Sequence, residues 1–195
     1  MKRAAFERDK PQDYLTRLAA TDIGQAYKSL AIRELAIHPG DVALDLGCGP
    51  GTDLCELAEA VGPTGRVIGL ENNPARIAQA RVHTSHYAER VEIVQADIHK
   101  LEFEAGTIDC VHTDRVLQHV ARPGEVLTEI RRVLRPGGRV VLAEPDWDML
   151  IIDYPDLAVT RAYTRFVTDK WLDYLATAPF FASVTLFMTI GSISR

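Results

Sequence analysis

A chain of 195 residues can hold one substantial domain and is too short for two ordinary ones. Hydrophobic residues at 47% beside 25% charged match a soluble globular protein and exclude disorder, collagen and coiled coil. A net charge of −5 with a pI near 5.7 leaves no basic surplus for phosphate backbones, so no nucleic-acid partner is expected.

The chain opens on Met1-Lys2-Arg3 and Phe6-Glu7-Arg8-Asp9-Lys10, too charged for a signal peptide. Two helices follow, Tyr14 to Leu18 and Ile23 to Ala36, ended by His38-Pro39-Gly40. Val42-Ala43-Leu44-Asp45-Leu46 reads as a first strand, then a glycine turn and a helix through Leu54, Leu57, Ala58 and Val61. Arg66 to Leu70 is the second strand, and Pro74 opens the next helix from a first-turn position. Val91 to Val94 and Ile108 to Val111 are the third and fourth strands. A helix through Val126, Ile130, Val133 and Leu134 precedes Arg135-Pro136-Gly137-Gly138, which turns the chain into a fifth strand, Arg139 to Ala143. A further helical pattern runs from Pro155 to Ala178. The apolar stretch Trp171 to Ile190 contains Asp173 and Pro179 and is too interrupted to span a membrane.

Val/Ile/Leu-rich strands alternating with helices predict an α/β, Rossmann-like doubly wound sheet, mainly parallel, with helices on both faces. The expected organisation is one domain over 1–195: a helical cap (1–38), a cofactor-binding core (39–145), and a C-terminal helix and tail (146–195). Three cysteines without framework spacing fit reduced thiols and a cytoplasmic location.

In such sheets, ligands sit beyond the carboxyl ends of the strands where strand order reverses. The first strand runs into Asp45-Leu46-Gly47-Cys48-Gly49-Pro50-Gly51-Thr52, whose alternate glycines allow a tight turn and expose bare backbone to a ligand. Glu71 ends the second strand with two acceptor oxygens suited to ribose hydroxyls, and Asp97, after the third, suits a purine amino group. Each alone has a plain structural reading, a packed turn or a solvated strand end. Three acidic positions at successive strand ends, in step with the glycine loop, are harder to dismiss. A dinucleotide site asks for Gly or Ala where this chain has Thr52. Asp97 beside the base favours a nucleoside ligand without phosphate.

This first motif resembles that of class I S-adenosylmethionine-dependent methyltransferases. The likeness continues through Val67-Ile68-Gly69-Leu70-Glu71, Gln95-Ala96-Asp97-Ile98, Thr107 to Val111 and Leu134 to Arg139, covering roughly Ile37 to Glu144. It implies S-adenosyl-L-methionine as cofactor. Gly47, Cys48, Gly49 and Gly51 would form its loop, and Asp45 would act near its ammonium. Glu71 and the neighbouring Asn72 would meet the ribose. Asp97 would take the adenine amino group, with the Ile98 N–H at a ring nitrogen, and Thr113 would face the methionine end. Similarity to enzymes acting on quinones and natural products implies methyl transfer to a small-molecule acceptor.

His119, after the fourth strand, is the candidate general base, with a helix-capping or interior histidine as the plainer alternative. His112, Asp114 and His119 superficially resemble an iron triad, but that arrangement belongs to β-rich scaffolds, and no metal is assigned. Cys48 and Cys55 are simplest as small packing residues. Tyr14 and Lys28 are placed to cover the cofactor, Lys28 against its carboxylate; a solvated helix face is the plainer reading. Glu144-Pro145-Asp146-Trp147-Asp148 is expected to close the fifth strand and border the acceptor.

The family's sheet usually ends with a helix and two further strands. After Pro179 this chain has room for one strand at most, which leaves a shortened C-terminal edge, a homo-oligomeric partner covering that edge, or a truncated product. Two other functions follow: a cofactor-binding protein without turnover, and an NAD-linked oxidoreductase.

Overall fold

A computed structural model describes the backbone of residues 12–153 and 181–193, with side chains for 16–145 and 191–193. The helical pattern expected from Pro155 to Ala178 and the side chain of Tyr14 lie outside the described residues. The chain divides into two compact units. The larger comprises Leu15–Glu144 and Met188–Arg195; the smaller comprises Met1–Tyr14 and Pro145–Phe187, where the described residues are the start of a helix and two stretches of strand.

The elements in chain order are α1 (Gln12–Ala19), α2 (Asp22–Glu34), β1 (Val42–Leu46), α3 (Leu54–Val61), β2 (Arg66–Glu71), α4 (Pro74–His83), β3 (Val91–Gln95), β4 (Ile108–Asp114), α5 (Pro123–Val133), β5 (Leu134–Asp153) and β6 (Phe181–Ser192). They form a six-stranded sheet in the order β3-β2-β1-β4-β5-β6, the first five strands parallel. Gly137 N donates to Ile193 O and Ile193 N to Gly138 O, so the end of β6 lies beside the start of β5 and the two run in opposite directions. Strand order reverses between β1 and β4. That is where a doubly wound sheet opens a crevice.

Period-two alternation sorts the strand side chains into two cores. Ala43, Val67, Val91, Ile93 and Cys110 pack on one face with Leu54, Leu57 and Val61 of α3 and Ala31 and Leu35 from the α2 region. Leu44, Leu46, Ile68, Leu70 and Val111 pack on the other with Val126, Ile130 and Val133 of α5. Helices therefore cover both faces, as the strand composition predicts. On the α5 side, Glu129 and Arg132 hold the loop after β3. Glu129 accepts from Leu101 N, while Arg132 donates to the carbonyls of Leu101 and Phe103, each at 2.8 Å. The Arg132 guanidinium, aided by the Leu101 N–H, depresses the Glu129 carboxyl to about 2 despite partial burial.

Three boundaries differ from expectation. Leu134 leaves the helix and starts β5, its backbone extended at φ −67, ψ 131. The Arg135-Pro136-Gly137-Gly138 segment consequently belongs to the strand, with a register irregularity opposite Ile108 and Cys110. β5 also continues past Glu144 to Asp153 rather than closing there. Finally, α2 ends at Glu34, because Ala36 adopts a left-handed φ of 46 before the Pro-Gly pair is reached. Among the described residues no helix is long and apolar enough to cross a membrane.

Candidate functional site

Two glycines shape the loop after β1. Gly47 has φ +68, and a Cβ there would sit 2.7 Å from Val116 Cγ2; Gly51 has φ +83, with Ala80 Cα 3.1 Å from where its Cβ would be. A side chain at either position meets both backbone strain and a steric clash. The loop forms the floor of a cleft of about 330 Å³ lined by Gly47, Cys48, Gly49, Asp45, Asp53 and Lys28, among others. It opens at the carboxyl ends of β1 and β4, beside the reversal of strand order.

Strand register puts the polar groups of this cleft together. Asp45 follows Ala43 on the α3 face and His112 follows Cys110, and the register pairs Asp45 directly with His112. Their side chains meet at 2.9 Å between Oδ1 and Nδ1, and both residues are buried. Burial opposes charging the imidazole, but the Asp45 carboxylate overrides it and holds the His112 pKa above its ordinary value. Asp45 lines the cleft, and His112 pairs with it rather than with Asp114 or His119.

Lys28 is not on a solvated helix face. It is buried, and its ammonium lies 2.8 and 2.7 Å from the two Asp53 oxygens and 2.6 Å from Asp114 Oδ2. Tyr27 OH donates to the same Asp114 oxygen at 2.9 Å, and Arg115 reaches Asp114 at 3.2 Å. Burial works against the ammonium, yet Asp53 and Asp114 outweigh it and raise the Lys28 pKa. For Asp114, burial is likewise overcome, by Lys28 and then Arg115, which hold its carboxyl below the ordinary range. One oxygen from each of Asp45 and Asp53 and one His112 nitrogen fall within 4.8 Å of one another, a spacing that suits a cation. Lys28 already supplies one, and no metal is assigned.

Glu71, at the end of β2, is buried. Its Oε2 accepts from Gly49 N at 3.0 Å and its Oε1 from Asn72 N and Asn73 N at 2.9 Å. It is joined to the cleft through Gly49. Asp97 lies on the loop after β3 with its side chain 69% exposed, outside the cleft lining, and Ile98 packs at the margin of the α5-side core. Thr113 is buried, its hydroxyl without a hydrogen-bond partner among the described residues; by alternation it faces the side opposite His112 and Asp114. His119 sits in a short turn, Leu117–His119. Burial, then Arg76 and Arg115, lower its pKa. Glu144 holds that turn by accepting from Val116 N and Leu117 N, both at 2.8 Å.

Asp53, Asp114, Arg115 and Tyr27 were not singled out as cleft residues from the sequence. The available signals were a carboxylate just before α3 and a charged pair at the end of β4, and neither names its partner. The non-glycine Arg115 in left-handed conformation, φ 57, is the kind of strain that collects at binding sites.

A methyltransferase-domain family profile matches residues 37–174. An uncharacterized 37.1 kDa protein in a transposon of Streptomyces fradiae is 58% identical over 85% of this chain and 48% of its own length. A demethylmenaquinone methyltransferase of Lactobacillus johnsonii is 32% identical over 71% of this chain and 58% of its own. The chain therefore spans about half the length of these curated relatives. Among solved structures, a SAM-dependent methyltransferase from Aquifex aeolicus shares the fold at TM-score 0.61 and 19% identity, covering 69% of this chain and 73% of that one. The alternation of strands and helices, the glycine loop and the family match over most of the chain converge on one conclusion: this chain belongs to the class I S-adenosylmethionine-dependent methyltransferases.

Proposed function

We propose that this chain binds S-adenosyl-L-methionine in the cleft over Gly47-Cys48-Gly49 and transfers its methyl group to a small-molecule acceptor. The observation that carries this is the donor set around the glycine loop. Buried carboxylates of Asp45, Asp53 and Glu71 suit an ammonium, a sulfonium and ribose hydroxyls. Lys28 and Arg115 in the cleft wall suit an amino-acid carboxylate. Nothing in the set resembles a pyrophosphate cradle. Relatives named for menaquinone, naphthoquinone and sterol methylation support a lipophilic, electron-rich acceptor of that kind.

When bound, S-adenosylmethionine would supply an electrophilic methyl to an acceptor attacking in line with the sulfur, which would leave as a neutral thioether with the bonding electron pair. The residues contribute alignment and exclusion of water more than covalent chemistry. Glu71 holds the ribose, Asp97 the adenine amino group and Ile98 N a ring nitrogen. Asp45 would stand near the ammonium, and the backbone around Thr113 would face the methionine end, the Thr113 side chain pointing to the other side of the sheet. The decisive measurement pairs calorimetry of S-adenosylhomocysteine and NADH with labelled methyl transfer to a panel of demethylated quinones, sterols and prenyl compounds. Binding of NADH alone, or of S-adenosylhomocysteine without transfer to any acceptor, overturns the reading.

His119 is the proposed general base for a hydroxyl acceptor. Burial and the two arginines lower its pKa, which favours the neutral imidazole, the form that accepts a proton. His119→Ala is expected to lower turnover about a hundredfold with little change in cofactor affinity. The acid limb of the wild-type rate profile should fall below the ordinary histidine value of 6.5. Unchanged turnover removes His119 from the reaction.

The described cysteines are all unpaired, which supports a reducing, cytoplasmic setting. The acidic net charge supports a protein that acts without nucleic acid. β6 stands last in the strand order, and a second copy covering that edge is the proposed oligomer. Sedimentation velocity finding only monomer at high micromolar concentration would sink it.

A further inference from the structure

The exposed Asp97 carboxylate is held by two donors, an Asx-turn backbone N–H and a ring nitrogen. His99 N donates to Asp97 Oδ1 at 2.9 Å, and His99 Nδ1 lies 2.7 Å from the same oxygen. The Asp97 side chain is 69% exposed but that of His99 only 16%, so the anchoring ring is set into the protein and the carboxylate extends from it. A free aspartate on a loop samples several χ2 angles, and ordering it on ligand binding costs conformational entropy. Two donors on one oxygen remove that freedom before any ligand arrives.

The ring's other nitrogen supports the same role. The two His99 donors lower the Asp97 pKa, so the carboxylate is ionised and acts only as an acceptor. Nδ1 must therefore carry the proton it shares with Oδ1. Nε2 is buried with no hydrogen-bond partner among the described residues. An orphaned buried polar atom is unfavourable and calls for a reason, and an apolar side chain would avoid the problem. The bond made by Nδ1 is that reason.

We propose that His99 is a specificity-determining positioning residue, fixing Asp97 so that its second oxygen meets the exocyclic amino group of adenine and rejects a 6-oxopurine. The inference rests on the proposed reading that Asp97 lies at the adenine. An acceptor-only oxygen welcomes an amino donor but opposes a carbonyl, and it discriminates only as sharply as it is held. If the carboxylate rotates freely, it turns away from the carbonyl and the penalty vanishes.

The test uses the full 195-residue chain and calorimetry with S-adenosylhomocysteine and its analogue carrying a 6-oxo group. Wild type is expected to prefer the amino compound by about tenfold to a hundredfold, the range for leaving one hydrogen-bonding group unsatisfied. His99→Ala should cut that preference at least fivefold. His99→Asn, whose amide nitrogen occupies the position of Nδ1, should restore most of it. His99→Gln, whose amide reaches the position of Nε2, should not. Asp97→Ala should abolish the preference. If Asp97→Ala loses it and His99→Ala keeps it, the inference about His99 is overturned while Asp97 stays at the adenine. If Asp97→Ala itself keeps the preference, the placement of Asp97 and the inference fall together. Circular-dichroism melts check that each variant is folded, and His99→Asn and His99→Gln keep the question open to refutation if the alanine variant unfolds.

Discussion

Replacing Lys28 with Met is expected to cost about 3–5 kcal/mol of stability at pH 7, the usual loss when one partner of a buried ion pair is removed. Methionine fills much of the lysine volume, so packing changes little. The electrostatics change severely, because Asp53 and Asp114 lose the three short contacts that Lys28 makes and remain facing each other in a buried cleft. The pH dependence gives the mechanism away. In the wild type Asp114 is held below its ordinary value near 3.8, so its contribution is present above that value and is lost as pH falls through the depressed one. Without Lys28 the carboxylate binds a proton more readily, and the stability gap between variant and wild type narrows as pH falls. On the alkaline side, Lys28 has a raised pKa. Its contribution persists through its ordinary value and fades only above it. Adding Asp114→Asn to the methionine variant should recover part of the loss. Urea denaturation at pH 7 and pH 4.5 measures all of this; a gap that does not depend on pH would mean lost packing and no charge network.

Glu71→Gln is expected to weaken S-adenosylhomocysteine about tenfold to a hundredfold and to lower stability by about 1–3 kcal/mol. The side chains are nearly isosteric, so the argument is one of donors and acceptors. In the wild type both carboxylate oxygens accept, one from Asn72 N and Asn73 N and the other from Gly49 N. A glutamine has a single accepting end. Once that end serves Asn72 and Asn73, its NH₂ faces the Gly49 N–H, donor against donor, and the glycine loop keeps only the Cys48 N to Leu70 O bond to β2. A ribose hydroxyl would likewise meet a neutral amide where it had met a charged acceptor. If the chain is destabilised but its Kd is unchanged, Glu71 holds the loop and does not touch the ligand.

Much of the fold is legible in the sequence because it is local. Val/Ile/Leu runs of four to six residues mark β1 to β4, helical repeats follow β1, β2 and β4, and Pro74 marks the start of α4 as its first-turn geometry requires. The glycine loop is legible for the same reason, since left-handed backbone at Gly47 and Gly51 asks for glycine in the sequence itself. The extent of β5 is not, because Pro136, Gly137 and Gly138 are read as turn formers; they form an irregularity in the pairing with β4, Gly137 at a left-handed φ of 80, and the strand runs on through it with Gly137 and Gly138 bonded to Ile193. The charge network is hidden for a different reason. Lys28 meets Asp53 across 25 residues and Asp114 across 86, and only the placement of α2 beside the start of α3 and the end of β4 brings them together. The Asp45–His112 pair lies between these cases. Each residue alone looks like an ordinary strand position, and the parallel register of β1 and β4 makes them neighbours.

Cys48 lines the cleft beside the carboxylates, within reach of whatever alkyl donor is held there. A thiolate in that position would compete with the intended acceptor and consume the donor in a self-inflicted dead end. Burial above all, then the negative charges of Asp45 and Glu71, push the Cys48 thiol well above its ordinary value. Because the nucleophile is the thiolate and not the thiol, the sulfur stays chemically silent. On the proposed reading, the acidic residues that would attract a cationic donor also help burial to keep the chain from becoming its own suicide substrate.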